Sequence, residues 1–124
     1  ILIFPAGLAS RRIKNQIIDL EWKKTFITRS IKYQRDIIPV YISGRLSNFF
    51  YNFANLRKSL GIKANIEMLY LSDETFQQKR KKFSITFGKP ISYTVFDSSL
   101  SHQEWAQRIK NQLYKIKENH KSDF

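Results

Sequence analysis

The sequence predicts an α/β fold, with a mainly parallel sheet flanked by helices. Three observations carry that expectation. Ile1-Leu2-Ile3-Phe4 is an unbroken apolar run that stops at Pro5-Ala6-Gly7. Ile37-Ile38-Pro39-Val40-Tyr41-Ile42 is a second short, β-branched and nearly continuous run. Both suit strands covered on two faces. Between and after them, apolar residues recur at helical spacing, and strand–helix alternation is the pattern of a layered α/β domain.

Taken in order, the first strand should end at Pro5, which cannot donate a ladder hydrogen bond, and Gly7 should open a tight turn. Ile13, Ile17, Ile18 and Leu20 then read as a short helix or a partly ordered loop. Trp22, Phe26, Ile27 and Ile31 mark an amphipathic helix over roughly 22–34, with Trp22 and Phe26 packing in the core. The 37–42 strand ends at Ser43-Gly44-Arg45. Ser47 or Asn48 caps a helix carrying Phe49, Phe50, Phe53, Leu56 and Leu60, and Gly61 closes it. Phe49-Phe50-Tyr51 puts aromatics on more than one face; these rings either pack under a neighbour or meet a membrane interface. Ile62, Ile66, Leu69 and Tyr70 suggest a shorter helix, and Ser72-Asp73-Glu74 a cap or turn. Lys79-Arg80-Lys81-Lys82 precedes a period-two strand at Phe83, Ile85 and Phe87, and 91–96 continues extended. Ser101-His102-Gln103-Glu104 is a capping box opening a last helix with Trp105, Ile109, Leu113 and Ile116 on one face and Lys115 and Lys117 near its end. Residues 118–124 should fray.

The 124 residues carry 42% hydrophobic and 15% aromatic side chains, enough for one core. Cysteine is absent, which removes disulfides, thiolate metal sites and cysteine nucleophiles, and fits a reducing compartment. No apolar run approaches a bilayer span, and the opening run is too short for a signal peptide. The chain opens inside an apparent strand, with no Met and no polar lead-in. The expectation is a single partial domain over 1–124, the C-terminal piece of a longer protein. Twenty-two Lys and Arg against ten acids give a net charge of +12, which draws anionic partners: nucleic acid, an anionic membrane surface or phosphorylated substrates.

A strand end that opens into Gly7, Ser10, Arg11 and Arg12 is a candidate anion site; an ordinary turn followed by solvated arginines is the alternative. Arg45 would join them if the 1–4 and 37–42 strands were parallel neighbours. His102 reads as an exposed first-turn residue, and His120 falls in the tail. Neither forms a convincing dyad with a carboxylate, and no Gly-rich phosphate loop, serine elbow or metal-ligand cluster occurs. No catalytic residue, metal or cofactor is therefore assigned.

Phe4-Pro5-Ala6-Gly7 with Ser10-Arg11-Arg12 resembles the third motif of the glycerolipid, or lysophosphatidate-like, acyltransferases. The Phe-Pro-Ala-Gly form, followed by Asp19-x-x-Trp22-x-x-x-Phe26, is similar to the hemolysin-like or lyso-ornithine-lipid branch. Ile38-Pro39-Val40-Tyr41 resembles the fourth motif. Gly44-Arg45-Leu46-Ser47-Asn48-Phe49-Phe50 and Phe87-Gly88-Lys89-Pro90-Ile91 are similar to further elements of that branch, so that the likeness covers about residues 1–95. The resemblance implies the C-terminal part of such a domain, and transfer of a fatty acyl group from acyl-CoA or acyl-carrier protein to a lysolipid hydroxyl. It implies a cytoplasmic enzyme peripheral on the inner membrane, with an anionic membrane surface as partner. The family's base is the histidine of a His-x4-Asp motif lying upstream of the third motif. His102 meets Gln107 at the fifth position and His120 lies too near the end, so this piece should be inactive alone. The implied acceptor-binding set is Phe4, Pro5, Ala6, Gly7, Ser10, Arg11, Arg12, Pro39 and Arg45. Ala6 stands where most members have Glu, a departure that bears on the acceptor. A basic nucleic-acid-binding module is the competing reading, carried by charge alone.

Overall fold

In chain order the elements are β1 (Arg11–Ile13), β2 (Gln16–Ile18), α1 (Thr25–Tyr33), β3 (Val40–Ile42), α2 (Asn48–Ser59), α3 (Leu71–Gln77), β4 (Ile85–Phe87) and α4 (His102–Lys121). Short 3-10 turns occupy Ile66–Tyr70 and Tyr93–Val95. The structure, a computed structural model, describes residues 1–79 and 81–121, the side chains of 116–121 excepted. The expectations for Arg80, for the side chains of Ile116, Lys117 and His120, and for 122–124 lie outside the described residues. The chain divides into two units: 1–9, 19–43 and 84–124 form the first, and 10–18 and 44–83 the second.

The first unit is built on α1 and α4. Trp22, Phe26 and Ile27 meet Phe96, Trp105, Ala106, Ile109 and Leu113 in one buried cluster. Trp22 and Phe26 pack edge to face at 5.9 Å, as do Phe96 and Trp105 at 5.6 Å, the geometry aromatic quadrupoles favour. The capping box forms as expected: Ser101 N–H donates to Glu104 Oε2 at 2.7 Å, and Glu104 N–H to Ser101 Oγ at 3.3 Å. Lys110 Nζ donates to the Asp19 and Leu20 carbonyls at 2.9 Å each, tying the approach to α1 onto α4. The α1 helix is shorter than the expected 22–34 span and ends at Gln34 in the left-handed region.

The expected parallel sheet is corrected. The four strands form two antiparallel pairs, β1 with β2 and β3 with β4, and among the described residues no strand pairs in parallel. Ile1–Phe4, expected as the first strand, joins no ladder and is exposed. The physical reason lies in pairing: β3 has three residues and meets only β4, with Val40 opposite Phe87 and Ile42 opposite Ile85. An isolated bridge from Ile37 to Ile91 and a bond from Gly88 N–H to the Pro39 carbonyl at 2.8 Å extend this contact past the proline. Direct opposition in an antiparallel pair puts both residues on one side. Ile42, Ile85 and Phe87 accordingly share an exposed face, while Tyr41 packs against the core. The 91–96 segment bridges once and then turns as a 3-10 helix instead of remaining extended.

The second unit holds the β1–β2 hairpin, α2 and α3. The hairpin replaces the expected helix or loop at 13–18; its two turn residues, Lys14 and Asn15, both have positive φ, as a type I′ turn requires. Ser47 caps α2, accepting from Phe50 N–H at 3.1 Å, and Gly61 follows its end at φ +72°. The expected helix at 62–70 is a 3-10 turn over its last five residues, and Ser72-Asp73-Glu74 lies within α3 instead of preceding a helix. No described helix is long and apolar enough to cross a membrane.

Candidate acceptor site

The Phe4–Gly7 turn belongs to the first unit. Gly7 N–H donates to the Phe4 carbonyl at 3.1 Å, closing a four-residue turn, and Gly7 adopts φ +69°. Lys23 N–H donates to the Pro5 carbonyl at 3.1 Å, and a Cβ on Gly7 would stand 3.5 Å from Lys23 Nζ. The turn is therefore bonded at its middle as well as its ends. Pro39 sits immediately before β3 in the same unit and is half-buried.

Ser10, Arg11 and Arg12 belong to the second unit, where the hairpin holds them against α2. Ser10 Oγ lies 3.2 Å from the buried Tyr51 hydroxyl, which also accepts from Leu46 N–H at 3.3 Å. Arg11 and Arg12 are adjacent in β1 and so project to opposite faces. Arg11 Nη2 donates to Glu67 Oε1 at 2.7 Å, and its guanidinium lies 5.9 Å over the Phe50 ring. The second Glu67 oxygen lies 2.7 Å from Arg57 Nε, so one fully buried carboxylate serves two guanidiniums.

Arg12 has different company. Its Nη2 donates to Asn48 Oδ1 at 2.6 Å, its Nη1 to Asn52 Oδ1 at 3.1 Å, and the guanidinium lies 5.4 Å over Tyr51. These partners are neutral, and among the described residues no carboxylate pairs with Arg12. Its charge is oriented by two amide dipoles and a ring face, with no described carboxylate paired to it. Arg45 follows Gly44 at φ +122°; its carbonyl accepts from Gln78 Nε2 at 3.2 Å and its side chain is exposed. The premise for bringing Arg45 to the other arginines, parallel neighbouring strands, fails with the antiparallel pairing of β3.

Glu67, Arg57, Tyr51, Asn48 and Asn52 were not in the acceptor set expected from sequence. One signal bears on the first: Glu67 is the only acid between Asp36 and Asp73, a stretch that carries four Lys and Arg. His102, expected exposed, is half-buried, with Nδ1 3.0 Å from Thr28 Oγ1. Two clefts run along α4, one of them lined by Ile91, Phe96, Trp105 and Ile109, and neither is lined by a residue of the expected acceptor set.

A family model described as "Acyltransferase" matches residues 1–122. The chain belongs to the acyltransferase family. It is 55% identical over 115 residues to a lyso-glycine lipid O-acyltransferase of Bacteroides thetaiotaomicron, a match covering 93% of this chain and 42% of that protein. It is 53% identical over 116 residues to a lyso-glycine lipid O-acyltransferase of Phocaeicola vulgatus, covering 94% and 42% respectively. The chain thus spans less than half the length of these curated relatives. No solved structure matches it. Membership of the acyltransferase family, with two relatives named for acylating a lipid, does not favour the nucleic-acid reading of the basic charge.

Proposed function

We propose that these residues are the C-terminal part of a membrane-associated enzyme that moves a fatty acyl group from a thioester, acyl-CoA or acyl-carrier protein, to the hydroxyl of a lysolipid whose head group ends in a carboxylate. The observation that carries this reading is the 55% identity, along nearly the whole chain, to a protein named for a lyso-glycine lipid. Glycine acylated on nitrogen keeps a free carboxylate, a planar anion that a guanidinium binds with two parallel hydrogen bonds. Arg12, held by two asparagines and a ring with no described carboxylate paired to it, is the side chain suited to that task. Ala6, where most members of the family have Glu, counts against a glycerol-3-phosphate-type acceptor.

In the reaction, the acceptor hydroxyl loses its proton to a general base, its oxygen bonds to the thioester carbonyl carbon, and the C–S bond breaks. The thiolate leaves and takes up a proton. No His-x4-Asp pair occurs in residues 1–124, so the base lies elsewhere in the enzyme and this segment alone transfers no acyl group. Its own contribution is to hold the acceptor, with Arg12 on the carboxylate and Ser10 and Arg11 as the framework that fixes β1 against α2. The test is an assay of the intact protein with acyl-CoA or acyl-carrier protein and a lyso-glycine lipid. Ester formation that depends on Arg12 supports the reading; absence of ester with either donor overturns it.

A further inference from the structure

Helix α2 has two apolar faces. Phe50, Tyr51 and Ala54 form the buried one. Phe49, Phe53, Leu56 and Leu60, spaced by four, three and four, fall on a single narrow stripe elsewhere on its circumference. That stripe is open: Phe49 and Leu56 are each 56% exposed and Leu60 is 66% exposed. Tyr70 packs edge-on against Phe49 at 5.4 Å and Phe53 at 5.5 Å, and the next residue back, Leu69, is 80% exposed. An exposed aliphatic and aromatic surface of this kind on one unit calls for an occupant.

Charge identifies the occupant. The second unit carries eleven Lys and Arg against three acids, a net of +8 out of the chain's +12. Two of those acids, Glu67 and Glu74, are buried. A second copy of the chain would bring like charge against like, and a nucleic acid offers nothing for an aliphatic stripe. An anionic bilayer answers both features, since acyl chains take the apolar side chains and head groups meet the cations. We propose that the Phe49–Phe53–Leu56–Leu60 stripe of α2, with Tyr70 and Leu69, is the surface through which the protein docks on anionic lipid. This deepens, and rests on, the reading of the protein as membrane-associated, and it names the element that makes the contact.

The test is flotation of the intact protein with vesicles of phosphatidylglycerol and phosphatidylcholine, against pure phosphatidylcholine, with no lysolipid present. Binding at least tenfold weaker to the neutral vesicles is expected. A Phe49→Gln/Leu56→Gln/Leu60→Gln variant should lose at least tenfold in binding to the anionic vesicles. It should retain its circular dichroism and its acylation of lysolipid dispersed below its micellar concentration. Leu69→Gln, a single change at a side chain that packs little, should lose about threefold and serves if the triple variant unfolds. Unchanged vesicle binding in folded variants overturns the proposal. So does a wild-type dimer that the substitutions convert to monomer, because the stripe would then be a subunit contact. Vesicle binding without ester formation instead counts against the acyl-transfer reading and leaves the surface standing.

Discussion

Arg11 and Glu67 lie 2.7 Å apart although fifty-six residues separate them, and Glu67 has no exposed surface. With Arg57 on its other oxygen, Glu67 is the buried anion that joins β1, α2 and the 3-10 turn of the second unit. Removing one member of a buried ion cluster is costly because the remaining charges lose their compensation. Glu67→Gln should therefore lower stability by about 3 kcal/mol, read by urea unfolding at constant m-value. A loss under 1 kcal/mol would mean that solvent already compensates the two arginines.

Arg12 should behave differently, since its partners are neutral. Arg12→Ala should change stability by no more than about 1 kcal/mol, the range for polar contacts at an exposed site. Its effect should fall on acceptor use: KM for a carboxylate-headed lysolipid up about tenfold, the loss of one charge-assisted contact of about 1.4 kcal/mol, with kcat little changed. Arg12→Lys should recover little, because an ammonium can neither bridge Asn48 and Asn52 as a planar fork nor bind a carboxylate bidentately. Full recovery by lysine would reduce the role to charge alone.

Glu74 is buried, no cation among the described residues pairs with it, and Ser47 satisfies it twice: Ser47 N–H donates to Oε2 at 2.6 Å and the hydroxyl donates to Oε1. The same hydroxyl caps α2. Ser47→Ala removes the cap and one bond to a buried carboxylate together, for an expected loss of about 2 kcal/mol in denaturant titration. Ser47→Thr, which keeps the oxygen, should stay near wild type. Equal losses in the two variants would point to packing at this position in place of hydrogen bonding.

The helices whose ends carry chemistry were legible: Ser47 and Gly61 bound α2, and Ser101 with Glu104 opens α4, each through local bonds that sequence spacing displays. The sheet was not. β3 finds β4 more than forty residues away, and nothing within either segment names its partner or the direction of pairing. The β1–β2 hairpin escaped because three-residue strands are too short to show a period, and Lys14-Asn15 lacks the glycine that usually announces a type I′ turn. For the site, the sequence exposed the arginines but not their fates. Adjacent in β1, Arg11 and Arg12 look equivalent, yet strand alternation sends one to a buried carboxylate and the other to two asparagines.

Gly7 separates backbone need from space. Its φ of +69° disfavours any Cβ, yet the nearest atom to such a Cβ, Lys23 Nζ at 3.5 Å, is in ordinary contact and can move. Gly7→Ala should cost about 1 kcal/mol from backbone strain alone. Gly7→Asn, which tolerates the left-handed region, should recover a good part of it. Thermal melts of the three proteins rank them; an asparagine variant worse than alanine would show that space beside Lys23, not φ, is limiting.

Acid should loosen the first unit through α4. The Ser101 hydroxyl and then its backbone N–H bond the Glu104 carboxylate and hold its pKa below the ordinary glutamate value, and the Ser99 hydroxyl and N–H do the same for Asp97. Both groups are depressed in the folded chain, so the unfolded chain takes up protons first as pH falls. The stability they add is complete above the unfolded carboxylate values and is lost as pH drops through the folded ones. Melting temperature should therefore decline from the ordinary carboxylate range downward. Glu104→Gln keeps the side chain's reach but removes its titration, so its curve should start slightly lower at neutral pH, fall less steeply and converge with wild type in acid. Two parallel curves would show that the capping box forms without discriminating between the charged and neutral carboxyl.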